Sequence, residues 1–298
     1  EALFAGVAVV VVYAPWLPTL LYQAKHTGAP WALRPGFYAL VLAPGSVFAT
    51  DLAFGALVVA AGVGLATHRR EPVPMALLAL VAGTVVVAWT ESQISSSWTA
   101  RYFAVLLGPV LLVLGAGIVR AGKLGVAALA LALLIWSGYT LHDDKSNARA
   151  IAHGVAAYLD PGELVISTHP EQIPVLRYYL GSQFRYATQL GPVADPRVMD
   201  WRDALSRIEA TTVKRNLEPE LASVKPGQRF AVVSPVFRDY HAWDAPWTRR
   251  VFLTSQLWTS TIAADPRFRK VATLTSDEIL LKRNYWKPLM AVIYVRRS

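Results

Sequence analysis

YFAVLLGPVLLVLGAGIV, residues 102–119, runs from end to end without a charged side chain. Wound as a helix, a segment of about 20 such residues matches the hydrocarbon layer of a bilayer and satisfies its own backbone there. Stretches of the same kind occur at residues 2–22, 47–67, 74–89 and 124–139, with Asp51 their interior charge, and the last 158 residues contain nothing comparable. The expected fold is therefore an α-helical transmembrane bundle of about five spans over residues 1–140, followed by an α/β domain over residues 141–298.

Basic residues are unevenly shared among the links, so the positive-inside bias orients the bundle. His68-Arg69-Arg70, and Arg120 with Lys123, occupy short turns almost free of acid and read as cytoplasmic. The loops at 23–34 and 92–101 and everything after Leu141 then lie outside. Lys25 and Arg34 run against the bias, but an outer loop that binds phosphate needs cations. The chain opens Glu1-Ala2-Leu3 and enters a membrane helix at once. A longer protein with earlier helices is the expectation; a cleaved signal peptide would show a basic leader and a small-residue cleavage site. The absence of cysteine excludes disulfides and thiolate zinc sites.

Net charge is +9 with 54% hydrophobic residues, and from Leu141 onward 22 basic side chains face 16 acidic ones, a net of +6. A basic domain beside a membrane favours anionic head groups or a phosphate-bearing ligand, so membrane lipids are expected partners. Nucleic acid is not, because the basic residues are scattered and form no binding motif. In this domain, short apolar runs at 163–168, 184–187, 229–234, 269–275 and 291–296 read as strands. Helical spacing marks 147–159, 169–179, 201–211 with Asp200 as N-cap, and 247–264. Asp160-Pro161-Gly162 and Gly181 punctuate them. Such alternation favours a layered sheet with helices against it.

With the helices so oriented, Lys25, His26, Asp51, Glu91 and Arg101 gather at the outer interface. Charges there are costly unless they face water or a partner, which makes Asp51 and Glu91 candidates for an outer polar site. The alternative for Lys25, Glu91 and Arg101 is snorkelling into the head-group zone. Asp51, between Phe48 and Phe54, needs a hydrogen-bond partner or water. Trp98-Thr99-Ala100-Arg101-Tyr102-Phe103 is the sharpest local pattern. An Arg-Tyr pair opening a membrane helix offers a planar donor fork at the depth of a lipid phosphate.

This pattern, with Gly108-Pro109 in the helix behind it, resembles the integral-membrane glycosyltransferases of the GT-C superfamily, especially the bacterial dolichyl-phosphate-mannose-protein mannosyltransferase-like group. Pro15-Trp16-Leu17-Pro18 running into the loop with Lys25-His26-Thr27-Gly28, then Asp160-Pro161-Gly162-Glu163 and Tyr178-Tyr179, are similar too. The resemblance implies a multi-pass enzyme of a bacterial plasma membrane with its C-terminal domain extracytoplasmic. It would pass a sugar from a polyprenyl-phosphate carrier to an unknown acceptor. It assigns the carrier phosphate to Arg101 and Tyr102, with Lys25 and His26 beside them. In that superfamily an Asp or Glu of the first outer loop activates the acceptor; this chain has no matching carboxylate, so the catalytic residue is expected in a missing N-terminal loop. A divalent metal in the full-length protein is compatible with the resemblance, and no metal-ligand spacing is evident here.

In the outer domain, His169 and Glu171 stand at a strand-to-helix turn, where they either contact a sugar or acceptor or simply cap a helix. Tyr240, Trp243 and Trp247, in an aromatic run from Phe237, either stack on sugar faces or pack as a loop lying on the bilayer. Besides the transferase, two other classes fit the plan: a non-catalytic membrane-anchored binding module, and a transporter or flippase subunit, for which broken or charged helices at the midplane are scarce.

Overall fold

A computed structural model describes residues 2–42, 50–67, 72–94, 97–138, 146–237, 244–275 and 288–298. The chain divides into two compact units, Glu1–Gly28 with His142–Ser298, and Ala29–Leu141.

The first unit begins with α1 (Ala2–Tyr13), a 3-10 turn (Ala14–Trp16) and α2 (Leu17–His26). Pro15 and Pro18 fall in the first turn of their helices, where a missing amide hydrogen costs nothing. The pieces therefore join into one apolar rod, Gly6–His26, of 21 residues.

The second unit holds α3 (Ala39–Leu42), α4 (Asp51–Thr67), α5 (Pro72–Ile94), a 3-10 helix (Ala100–Leu106) leading into α6 (Leu107–Arg120), and α7 (Lys123–Ser137). Among the described residues three helices are long and apolar enough to cross a membrane: Gly6–His26, Pro72–Ile94 and Arg101–Arg120. About five were expected. α4 has 17 residues and α7 has 15, which at 1.5 Å per residue gives about 25 Å or less, short of a roughly 30 Å layer.

Small residues let these helices approach. A Cβ on Gly64 of α4 would stand 1.9 Å from the Gly117 carbonyl oxygen of α6, and one on Gly117 would stand 2.5 Å from the Ala61 carbonyl oxygen. Gly125 of α7 sits equally close to Ile118. Contacts of this kind replace hydrophobic driving force where lipid is the solvent.

The rest of the first unit is a six-stranded mixed sheet with helices on both faces. In chain order it comprises α8 (Ala148–Ala156), β1 (Leu164–Ser167), α9 (Ile173–Leu180), β2 (Arg185–Thr188), β3 (Gly191–Pro192), α10 (Ala204–Glu209), α11 (Glu218–Ala222), β4 (Arg229–Pro235), α12 (Pro246–Ala264), β5 (Phe268–Leu274) and β6 (Leu289–Arg296). The strand order is β3-β2-β1-β4-β6-β5, with β1 parallel to β2 and β4 and the other pairings antiparallel. Alternate residues serve opposite cores. Val165, Ala231 and Val233 meet Ile151, Val155 and Leu176 of α8 and α9. Leu164, Ile166, Phe230 and Val232 meet Leu221, Trp258 and Ile262 of α11 and α12. Burial on both faces explains why these strands read as continuous apolar runs.

All five expected strands are present, and β3 is added at the edge. The helix expected at 201–211 is shorter, because Asp200 does not cap it. Its carboxylate instead accepts the Arg202 amide at 3.1 Å and the guanidinium at 2.9 and 2.8 Å, and α10 begins only at Ala204. Asn147 ties the start of α8 to β6: its buried amide donates to the Leu289 carbonyl at 2.8 Å and accepts the Leu289 N–H at 2.7 Å.

Candidate functional site

Gly117 meets Ala61, and Gly64, three residues on, reaches Ala121, so α4 and α6 run in the same direction, and α5 returns between them in sequence. Asp51 at the start of α4, Glu91 in the last turn of α5 and Arg101 at the start of the 3-10 helix therefore share one end of the second unit. Thr67, Arg120 and Lys123 share the other. His68, Arg69 and Arg70 lie outside the described residues.

At the first end, the Arg101 guanidinium lies 5.7 Å from the centre of the Trp31 ring and 5.2 Å from that of Tyr102, with Nη2 3.5 Å from the Tyr102 hydroxyl. Two aromatic faces thus hold the cation in place of a carboxylate, which leaves its donor edge for an anion. Next to it is a 220 Å³ cavity lined by Thr84, Ala88, Glu91, Ser92, Trp98 and Tyr102, among others. Glu91 accepts a hydrogen bond from Ser97, whose hydroxyl also lies 3.0 Å from that of buried Ser92. The loop carrying Trp31 is pinned over α5 by Gln93 donating to the Pro35 carbonyl at 3.0 Å and Trp89 to the Gly36 carbonyl at 3.2 Å. Arg101, Tyr102 and Glu91 are brought together; Trp31 completes the group and was not singled out in the sequence, where it is one tryptophan of 10.

Asp51 is exposed in the first turn of α4, where the partial positive charge of the helix N-terminus favours a carboxylate. His26 belongs to the first unit. Its Nδ1 lies 3.0 and 3.1 Å from the two carboxylate oxygens of Asp203, and the Asp203 N–H donates to the His26 carbonyl at 2.6 Å. Asp203 takes a left-handed backbone, φ 49°, to make this joint. Arg202 is held by Asp200 and secondarily by Tyr22, which together keep its guanidinium more firmly protonated than usual. His26 thus fastens the end of α2 to the turn before α10 through its Nδ1. Lys25 beside it is exposed.

The C-terminal ends of the parallel strands, where open α/β sheets place their ligands, are filled with buried polar groups: Ser167, Thr168, His169, Thr188, Gln189 and Ser234. Thr168 Oγ1 lies 2.7 Å from Ser255 Oγ of α12, and Gln189 donates to the Val251 carbonyl at 3.3 Å. His169 has no exposed surface, and its Nε2 pairs with the Glu171 carboxylate. That pair staples the turn after β1 and presents no imidazole to a sugar; the Glu171 side chain keeps 21% exposure. Trp247 is also fully buried, edge-on to Trp201 with ring centres 5.2 Å apart, and so cannot stack on a sugar. Tyr240 and Trp243 lie outside the described residues. Among the described residues no three His, Asp or Glu side chains group as metal ligands.

No protein-family model matches the chain, and no curated protein or solved structure is significantly similar to it.

Proposed function

We propose that the chain is part of a membrane glycosyltransferase that uses a polyprenyl-phosphate-linked sugar at the outer face of the membrane, with Arg101 and Tyr102 holding the carrier phosphate. The observation that carries the reading is the Arg101 guanidinium, steadied by Trp31 and Tyr102 at the mouth of α6, beside a cavity that contains Glu91. A guanidinium fork fixed by ring faces suits the tetrahedral oxygens of a phosphate, and aromatic rings at that depth suit the polar–apolar boundary of a lipid. The positive-inside bias, applied to Arg120 and Lys123 at the opposite end, puts Arg101 and the domain after Leu141 outside. Glu91, bonded to Ser97, borders the space the sugar would enter.

The test is carrier-dependent transfer by the protein as expressed from its native reading frame, with Arg101→Lys and Arg101→Ala compared after equal membrane insertion is verified. A charge-assisted hydrogen bond is worth about 1.5 to 3 kcal/mol, so alanine should reduce carrier use by about ten- to a hundredfold and lysine should fall between. Equal activity in all three would reduce Arg101 to a snorkelling anchor.

A further inference from the structure

A cavity of about 650 Å³ in the sheet unit opens at the edge of the sheet where β2 begins and the chain leaves β3. Its size suits a small molecule. Among the residues lining it are three arginines, Arg177, Arg185 and Arg197, and two carboxylates, Asp195 and Glu220.

The charges do not cancel. Arg197 closes on Asp195 with bonds of 2.8 and 2.9 Å, which holds that carboxyl down at about 2. Arg185 donates to the Gly162 carbonyl at 3.0 Å and to Ser223 Oγ at 3.1 Å, and its charge opposes the upward push of burial on Glu220. Arg177, in the last turn of α9, makes no ion pair with a described residue. Its field reaches both the Tyr186 phenol and Asp195. Tyr186 is itself occupied, donating to the Gly181 carbonyl at 2.7 Å. One guanidinium is thus left over on the wall of a concave site, where its charge attracts an anion.

We propose that this cavity binds a small oxyanion-bearing molecule whose phosphate or carboxylate is taken by Arg177. The proposal does not rest on the transferase reading. Sequence carries no trace of it, since Arg177 stands in α9, Arg185 in β2 and Arg197 in the turn after β3.

The test uses the full chain in nanodiscs of zwitterionic lipid with Arg101→Ala as background, so that a head-group site at Arg101 contributes nothing. Inorganic phosphate is titrated calorimetrically. The Arg101→Ala protein should bind phosphate, Arg101→Ala/Arg177→Gln should bind it at least about tenfold more weakly, and Arg101→Ala/Arg177→Lys should lie between. Absence of binding in the Arg101→Ala protein, or equal binding after Arg177→Gln, would overturn the proposal. Repeating the titration with anionic phosphatidylglycerol in the disc identifies the source. Competition by that lipid makes the natural occupant a head group, and unchanged binding makes it a soluble anion.

Discussion

Three arginines of the sheet unit share one local device. In Asp195-Pro196-Arg197, Asp200-Trp201-Arg202 and Asp265-Pro266-Arg267, the carboxylate accepts the backbone N–H of the residue two positions on and also that residue's guanidinium. The arginine's hydrogen bonds are the main reason each carboxyl titrates below its ordinary value, to about 2 for Asp195 and Asp200. The depressed carboxyls of Asp195 and Asp200 lend stability that is present above 3.8 and lost as pH falls through about 2; these two pairs are exposed, so that contribution is small. Arg101 and Arg177 lack the preceding aspartate, and this separates the two proposed anion sites from the structural arginines. Tyr186 adds an alkaline dependence. Burial, opposed by the Arg177 charge, pushes its phenol up to about 12. A raised pKa means stability fully present below 10 and lost as pH rises through about 12. Tyr186→Phe should cost about 1 kcal/mol at neutral pH through the lost bond to Gly181 and should flatten alkaline unfolding, as followed by circular dichroism against pH. An unchanged alkaline profile would mean that Tyr186 is not the group responsible.

Elements whose apolar residues are contiguous were legible in the sequence, and the reason is physical. Leu164 to Ser167 is covered on both faces, so it shows as an unbroken apolar run closed by Asp160-Pro161-Gly162. β3, two residues long, has no pattern to read. Trp247 misled because an aromatic-rich run looks alike whether it lines a sugar site or fills a core; only the packing against Trp201 separates them. The His26–Asp203 joint was invisible because its partners are 177 residues apart. The close approach of α4 and α6 yields an element-scale prediction. Gly64→Val puts a branched side chain against the Gly117 backbone and should destabilise the helical unit by about 1 to 3 kcal/mol or more. Gly62→Val, where a Cβ meets nothing within 4 Å, should be nearly silent. Thermal unfolding in detergent separates the two variants, and equal midpoints would contradict the α4–α6 contact.

The whole molecule carries a polar site at one end of its helical unit and a separate cavity in its basic α/β unit. Its topology can be checked at Ser182, exposed beyond α9. Ser182→Cys in the otherwise cysteine-free chain should react with a membrane-impermeant thiol reagent in intact cells, whereas labelling only after permeabilisation would reverse the orientation. The central claim, a polyprenyl phosphate held at Arg101, is tested most directly by photocrosslinking. A photoreactive polyprenyl phosphate and the matching uncharged polyprenol are each irradiated with the membrane-embedded protein, and the labelled peptides are mapped by mass spectrometry. Phosphate-dependent labelling should concentrate on the peptides that carry Trp31, Glu91 and Arg101, and should be lost in Arg101→Ala. Labelling spread equally along the apolar helices with either probe would contradict it.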